Sequence, residues 1–310
     1  MECELAAAGN NPAFNNPAFQ EQGAGRAYPT SGQPGFGAQT KYAPPAAATD
    51  AAVDAQLEGA YAAPSAGAIE TGRMTVEDTV IKTIGLFAIL LVTAVAGWMW
   101  TMAPVTATNP NPTMVPWIIG ALGGFVLAMV VIFTSRKKIR PALIWGYAAF
   151  EGLFIGAISA FFEFIWPGIV IQATIGTLAV VGVTLALFAS GKVRASKKAT
   201  KVFMIAMIGY LVFSLVNVML MIFNVPIAGG AFGMLSEVKI FGIPLGVIIG
   251  ILVVIMAAYS LVLDFDSIQQ GVRNGAPRQY AWLGAFGIMV TVVWLYVEIL
   301  RILAILRGSN

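Results

Sequence analysis

The sequence predicts an all-α integral membrane protein in which seven transmembrane helices follow a disordered N-terminal tail. Hydrophobic residues make up 58% of the 310 residues and charged residues only 11%, whereas about a quarter of the residues of a soluble domain are charged. The mean hydropathy is accordingly high, at +0.80. Seven apolar runs also follow one another, each near or above the roughly 20 residues that cross about 30 Å of hydrocarbon.

The first element is a polar, low-complexity tail over residues 1–72, rich in Ala, Gly, Pro, Asn and Gln. It cannot bury enough apolar surface to offset its chain entropy, so we expect it to be disordered and cytoplasmic. Its beginning is acidic and lacks an apolar core, so it does not look like a signal peptide. Asn-Pro-Ala-Phe occurs twice, at 11–14 and 16–19. This duplication is either a docking element for a membrane-protein partner or an accident of composition.

Residues 73–310 form the predicted seven-helix transmembrane domain. Thr75 can cap the first helix, with Glu77 and Asp78 favourably placed at the positive end of its dipole. Pro-rich or basic segments separate the spans. The predicted spans are residues 80–103, 115–134, 141–166, 168–189, 202–224, 243–265 and 280–306.

Basic residues lie in alternate loops and predict the orientation. These residues are Arg136, Lys137, Lys138 and Arg140, then Lys192, Arg194, Lys197, Lys198 and Lys201, then Arg273 and Arg278. By the positive-inside rule, the tail and these loops are cytoplasmic and the chain contacts lipid rather than nucleic acid. The C-terminus is then outside. Arg307 near that end argues against this placement, so the last helix either spans fully or is partly re-entrant.

Small residues on two of the spans predict close helix packing. Gly152, Gly156 and Ala160 lie at four-residue spacing on the third span, and Gly246 and Gly250 on the sixth. This spacing lets helix backbones approach closely in lipid. The pattern indicates a compact bundle and carries no information about a transported ion.

The sequence also excludes several kinds of chemistry. It contains no histidine, and its single cysteine, Cys3, lies in the tail. Zinc catalysis, Ser-His-Asp catalysis and histidine pH switches are therefore excluded. The chain has no nucleophile motif and no metal-ligand spacing, so we expect neither enzymatic activity nor a cofactor.

Acidic residues within the spans are the candidate functional residues, because ionisable groups are costly in a membrane. Glu151 lies about ten residues into the third span, or roughly 15 Å from its start. It is either functional or a protonated acid that hydrogen-bonds a neighbouring helix. Asp264 and Asp266 point about 200° apart, so only one can face the interior comfortably. Either both mark the cytoplasmic end of the sixth span, or Asp266 is functional, which we favour. Glu298 either serves function or pairs with Arg301, which would reach outward. A fifth acid, Glu163 at the outer interface, is expected to be solvated.

Three segments resemble the Bax inhibitor-1 family, also called the transmembrane Bax inhibitor motif family. They are residues 148–159 (AAFEGLFIGAIS), 265–267 (FDS) and 295–300 (LYVEIL). The resemblance extends over roughly residues 75–307. With its Asn-Pro-Ala-Phe tail, the chain looks most like the actinobacterial branch, which implies a bacterial plasma membrane.

The resemblance implies six helices packed around a central C-terminal helix and a pH-sensitive calcium leak. In that family, an acid at the end of the sixth helix and another on the seventh form a hydrogen-bonded gating pair. By motif these are Asp266 and Glu298; Glu151 and Asp264 are further candidate residues of the ion pathway. Two carboxyl groups in contact cannot both ionise cheaply, so acid closes such a pair and deprotonation opens it. Carboxylate oxygens also suit transient calcium binding at Asp266 and Glu298.

The spacing of the two acids departs from that pattern. Asp266 lies a few residues before the predicted turn at 271–279, whereas Glu298 lies about 20 residues after it, so a simple hairpin places them at different depths. Either the last helix begins later, or Asp266 has another partner and Glu298 forms a separate site with Arg301 or Glu151. The leading prediction is a calcium or cation leak. The alternative is a non-transporting adaptor that modulates a membrane protease or stress response.

Overall fold

Seven long helices account for most of the described chain. The computed structural model describes residues 72–223, 225–226 and 232–308. Within these residues, seven helical segments are long and apolar enough to cross a membrane, which confirms the predicted fold class. The duplicated motif, Cys3 and all of the predicted tail except its last residue lie outside the described residues. The helices, α1 to α7 in chain order, are Val76–Met102, Val115–Ser135, Pro141–Ile165, Ile169–Ala189, Lys197–Ile222, Leu245–Arg273 and Ala281–Gly308.

Local sequence signals begin several of these helices. The Thr75 hydroxyl accepts a hydrogen bond from the Asp78 amide at 3.0 Å, which confirms the predicted cap of α1. Ser196 caps α5 in the same way. Pro116 and Pro141 lie in the first turns of α2 and α3, where a missing amide hydrogen costs no helical hydrogen bond.

The turn between α3 and α4 depends on Glu163. Its carboxylate accepts hydrogen bonds from the backbone amides of Gly168, at 2.6 Å, and Val170, at 3.1 Å. Gly168 has a φ of +84°, a backbone conformation that residues with a side chain disfavour. The expectation that Glu163 is simply solvated was therefore wrong: it binds unpaired amides at the start of α4.

The C-terminal helix α7 is the central element of the bundle. It packs against α1, α3, α4 and α6. It also reaches α5 through the hydrogen bond between Arg301 and Tyr210, and Leu283 lines a crevice with Val131 of α2. Buried side chains of α7 such as Phe286 and Met289 belong to the largest apolar cluster. This arrangement agrees with six helices around a central seventh.

Glycines allow the closest helix contacts. A Cβ atom on Gly152 or Gly156 of α3 would overlap the backbone of α1 at Leu90 or Ala94. On α6, a Cβ atom on Gly250 would overlap the Ile302 side chain of α7. The predicted role of these glycines in helix packing is therefore confirmed.

The last helix crosses the whole bundle. The Arg307 guanidinium donates a hydrogen bond to the Pro167 carbonyl in the α3–α4 turn at 2.9 Å. Ile268 of α6 meets Gly284 near the start of α7, so the two ends of α7 lie at opposite ends of the bundle. A re-entrant last helix is thereby excluded. We call the end with the α2–α3, α4–α5 and α6–α7 loops the basic end, and the other the opposite end.

The α5–α6 connection contains secondary structure that the sequence did not predict. A helical turn, Met234–Glu237, is followed by a hairpin of β1, Lys239–Ile240, and β2, Ile243–Pro244. At the other end of α6, the helix continues to Arg273, eight residues beyond the predicted end of the sixth span. The last turns of α6 are polar, so the helix extends past the apolar run. Hydropathy indicates which residues lie in hydrocarbon, and it does not show where a helix ends.

The segment before α1 is attached to the α6–α7 loop at the basic end. The Met74 amide donates to the Ala276 carbonyl at 2.7 Å, and the Arg278 amide donates to the Gly72 carbonyl at 2.8 Å. Asp78 in the first turn of α1 forms ion pairs with Lys82 and Arg278. The chain therefore enters its first helix from a fixed position on the loop that precedes α7.

Candidate ion pathway

Asp266 and Glu298 do not form the implied pair. The helices α6 and α7 are antiparallel, with Gly250 against Ile302 and Ile268 against Gly284. In that register, Asp266 is level with about residue 286, some 12 residues or about 18 Å along the axis from Glu298. Of the two alternatives that the sequence left open, the structure therefore supports the second, in which each acid has a different partner.

The acid that faces the interior is Asp264, not Asp266. Asp264 is 0% exposed, and its carboxylate accepts a hydrogen bond from the Thr291 hydroxyl of α7 at 2.6 Å. Asp266 is partly exposed and accepts a hydrogen bond from Gln270 on its own helix at 2.7 Å. The 200° separation agrees with the structure, in which α7 packs over the face of α6 that carries Asp264. The functional role that we favour for Asp266 stays a prediction.

Glu298 belongs to a polar cluster with Arg301 and Tyr210 between α7 and α5. It is 3% exposed and forms an ion pair with Arg301. The Tyr210 hydroxyl of α5 donates to Glu298 Oε2 at 3.3 Å, and Arg301 Nη1 donates to the Tyr210 oxygen at 3.0 Å. The expected ion pair is present, yet Arg301 does not reach outward: the ring of Tyr210 lies 5.9 Å from its guanidinium.

Thr291 and Glu298 lie on the same face of α7. They are seven residues apart, which is two helical turns and about 10 Å along the axis. Leu295 lies between them on this face, and Ala257 and Leu261 lie on the facing part of α6, all three buried. The α6–α7 interface therefore carries two polar positions separated by one apolar layer.

Glu151 lies at a different interface, between α2 and α3. A Cβ atom on Gly124 of α2 would be 2.9 Å from Glu151 Oε2, so a larger residue there would require the carboxylate to shift. The buried hydroxyl of Tyr147, one turn earlier on α3, interacts with the same carboxylate. The described hydrogen bond of Glu151 is thus to its own helix and not to a neighbouring one, and its described contacts do not include Asp264 or Glu298.

The sequence identified the acids but missed the groups that bind them. Thr291, Tyr210 and Tyr147 are single polar residues within apolar runs, and that isolation is the signal that could have drawn attention to them. Residues 72–223, 225–226 and 232–308 contain no group of three or more metal-ligating side chains.

The chain matches one known family model. A model described as Bax inhibitor 1 like matches residues 11–308, nearly the whole chain. The match begins at the first Asn-Pro-Ala-Phe sequence and ends at the last residue of α7. A search of curated proteins and a search of solved structures each found no match.

Proposed function

Because the chain belongs to the Bax inhibitor 1 like family, we propose that it is a pH-sensitive passive leak for calcium or other cations. We place it in a bacterial plasma membrane with the N-terminus in the cytoplasm. The observation that carries this proposal is the α6–α7 interface. It buries two carboxylates, Asp264 and Glu298, on either side of a single apolar layer.

Asp264 is the acid on which we base pH sensitivity. It is fully buried where α6 packs on α7, and its contacts include the Thr291 hydroxyl, from which it accepts a hydrogen bond; removing an ionised carboxylate from water is costly. Protonation removes that cost and favours the closed packing of α6 on α7. Deprotonation places a negative charge at the interface, and a cation or water that enters stabilises it. The leak should therefore increase as pH rises.

Glu298 has a different role in this proposal, because Arg301 already compensates its charge. A cation that reaches Glu298 must compete with the guanidinium, which also contacts Tyr210 on α5. Movement of α5 would carry Tyr210 away from the ion pair. We therefore assign Glu298 and Arg301 to control of the opposite end of the pathway, and Asp264 to control of pH response.

The test is calcium entry into dye-loaded proteoliposomes at an acidic and a mildly alkaline pH. We expect faster entry at the alkaline pH, and loss of this dependence in Asp264→Asn. Asp266→Asn is the matched control, two residues away on the same helix but outside the interface, and it should keep the dependence. Flux equal to that of protein-free liposomes at both pH values would refute the leak. Loss of pH dependence in Asp266→Asn alone would instead restore the acid assigned by family resemblance.

A non-transporting adaptor is the second candidate function, and the attachment of residues 72–74 to the α6–α7 loop favours it. A membrane-protein partner bound to the tail would act directly on the loop that precedes the central helix. Removal of residues 1–71 separates the two functions. A leak should keep its flux in the truncated protein, whereas an adaptor should lose its cellular phenotype while the bundle stays folded.

A further inference from the structure

The hairpin between α5 and α6 has an unusual residue at its tip. Lys239 pairs with Pro244 and Ile240 with Ile243, which leaves Phe241 and Gly242 as a two-residue loop. Both have positive φ, +51° for Phe241 and +81° for Gly242. Loops of this kind favour Asn or Gly at both positions. Phenylalanine is poorly suited to this backbone conformation, so local turn preference does not explain its presence.

The tip of the hairpin is apolar, and none of the residues that the structure describes covers it. The side chain of Phe241 is 100% exposed, and the flanking Ile240 and Ile243 are 41% and 48% exposed. Lys239 next to them is also exposed. A strained backbone that presents a fully exposed aromatic residue between two isoleucines indicates a surface that contacts something other than the described residues.

The position of the hairpin in the bundle indicates which surroundings its apolar tip contacts. Asn217 near the end of α5 binds the start of the preceding helical turn, where its Oδ1 accepts from the Met234 amide at 2.7 Å. The last turns of α5 beyond Asn217 expose apolar side chains, with Ile222 65% and Phe223 74% exposed. The hairpin is thus continuous with an apolar, lipid-facing surface of the spanning bundle.

The length of α6 agrees with this position. The helix begins at Leu245, directly after β2, and its apolar run continues to residue 263. These 19 residues correspond to about 28 Å, close to the thickness of the hydrocarbon core. The hairpin therefore lies at the boundary between hydrocarbon and headgroups at the opposite end of the bundle.

We propose that residues 239–244 are an interfacial membrane anchor. Phe241, with Ile240 and Ile243, inserts into the boundary between headgroups and acyl chains, where aromatic side chains are favoured. Lys239 lies beside the lipid phosphates. The anchor fixes the α5–α6 connection to the bilayer, and the proposal does not depend on the ion leak.

The test places a fluorophore beside Phe241 without replacing it. In a full-length Cys3→Ser chain, Ile240→Cys is labelled with an environment-sensitive dye and placed in lipid nanodiscs. Quenching by lipids with a nitroxide at the headgroup or upper acyl chain is then measured. The control is Thr108→Cys, in the exposed polar α1–α2 loop at the same end. We expect about threefold or greater quenching at position 240 relative to position 108.

Adding Phe241→Asp should lower quenching at position 240 to the control level, and Phe241→Tyr should preserve it. Equal quenching at positions 240 and 108 in the protein that retains Phe241 would overturn the proposal. A blue-shifted emission at position 240 without lipid quenching would also overturn it, because a protein partner or a second copy would then cover the tip. If the Phe241→Asp variant does not fold, the comparison of positions 240 and 108 still decides.

Discussion

At the residue scale, the Glu298–Arg301 pair shows how an ion pair persists inside an apolar bundle. Neither side chain could be left alone at this site, because an unpaired buried charge costs several kcal/mol. Tyr210 accepts from the arginine and donates to the glutamate, so it joins the charged groups of α7 to α5. The pair therefore matters for stability mainly because loss of either partner would leave the other as an unpaired buried charge.

Removal of one partner of the Glu298–Arg301 pair should destabilise the protein more than removal of both. Glu298→Gln leaves the Arg301 guanidinium buried and uncompensated, so we expect a loss of about 3 to 5 kcal/mol in stability. Glu298→Gln with Arg301→Met should recover much of that loss. Thermal unfolding in detergent, followed by tryptophan fluorescence, measures both. A double variant no more stable than the single variant would contradict this account.

Asp264 shows, at the same scale, where prediction from the sequence stops. Its burial and its contact with the Thr291 hydroxyl could not be derived from the sequence, because the two residues are 27 positions apart and on different helices. The helical angle shows that Asp264 and Asp266 face different ways, but it does not show which face meets α7. That choice depends on the rotation of α6, which glycines such as Gly250 determine through contacts with α7.

At the element scale, α5 is the least enclosed of the seven helices. Its only buried residues are Phe203 and Asn217. Polar contacts hold it in place: Thr200 with Tyr259 at 3.0 Å, Tyr210 with the ion pair, and Asn217 with the helical turn before the hairpin. A helix held mainly by a few polar contacts can move with little loss of packing, which suits the role that we propose for it beside Glu298.

Asn217→Ala tests this description of α5. The change leaves the Met234 amide without its partner and removes one of two donors to the Phe232 carbonyl, at a cost of about 1 to 3 kcal/mol. We expect roughly tenfold faster hydrogen exchange, or more, in residues 232–237. Val218→Ala, the exposed neighbour of Asn217, is the control and should leave exchange there unchanged. Equal protection in both variants would show that apolar packing holds this connection.

The boundaries of the elements show what hydropathy can and cannot predict. Predicted and observed spans agree closely for α2, α3 and α4, because proline, glycine or basic residues end the apolar runs there. The agreement fails at α6, where Gln270 and Arg273 remain helical beyond the apolar run. The hairpin at residues 239–244 was missed because its short strands are apolar and adjoin the next span, so they could not be separated from it by composition.

At the scale of the whole molecule, charge differs between the two ends of the bundle. All the lysines and arginines of the α2–α3, α4–α5 and α6–α7 loops lie at the basic end, where Arg278 and Asp78 also join α1 to the start of α7. At the opposite end, the described residues include only Lys239 and Arg307 as basic residues. The positive-inside rule therefore predicts one orientation, with the basic end in the cytoplasm.

Labelling of single cysteines in intact cells tests that orientation. In a Cys3→Ser chain, Thr108→Cys at the opposite end should react with a membrane-impermeant thiol reagent before permeabilisation. Lys138→Cys at the basic end should react only afterwards, because the reagent cannot cross the bilayer. Both loops are exposed to solvent, so accessibility within the protein does not limit either reaction. The reverse pattern would put the N-terminus outside, and equal labelling in intact cells would exclude a single orientation. Either result would also remove the basis for a cytoplasmic partner that binds the tail.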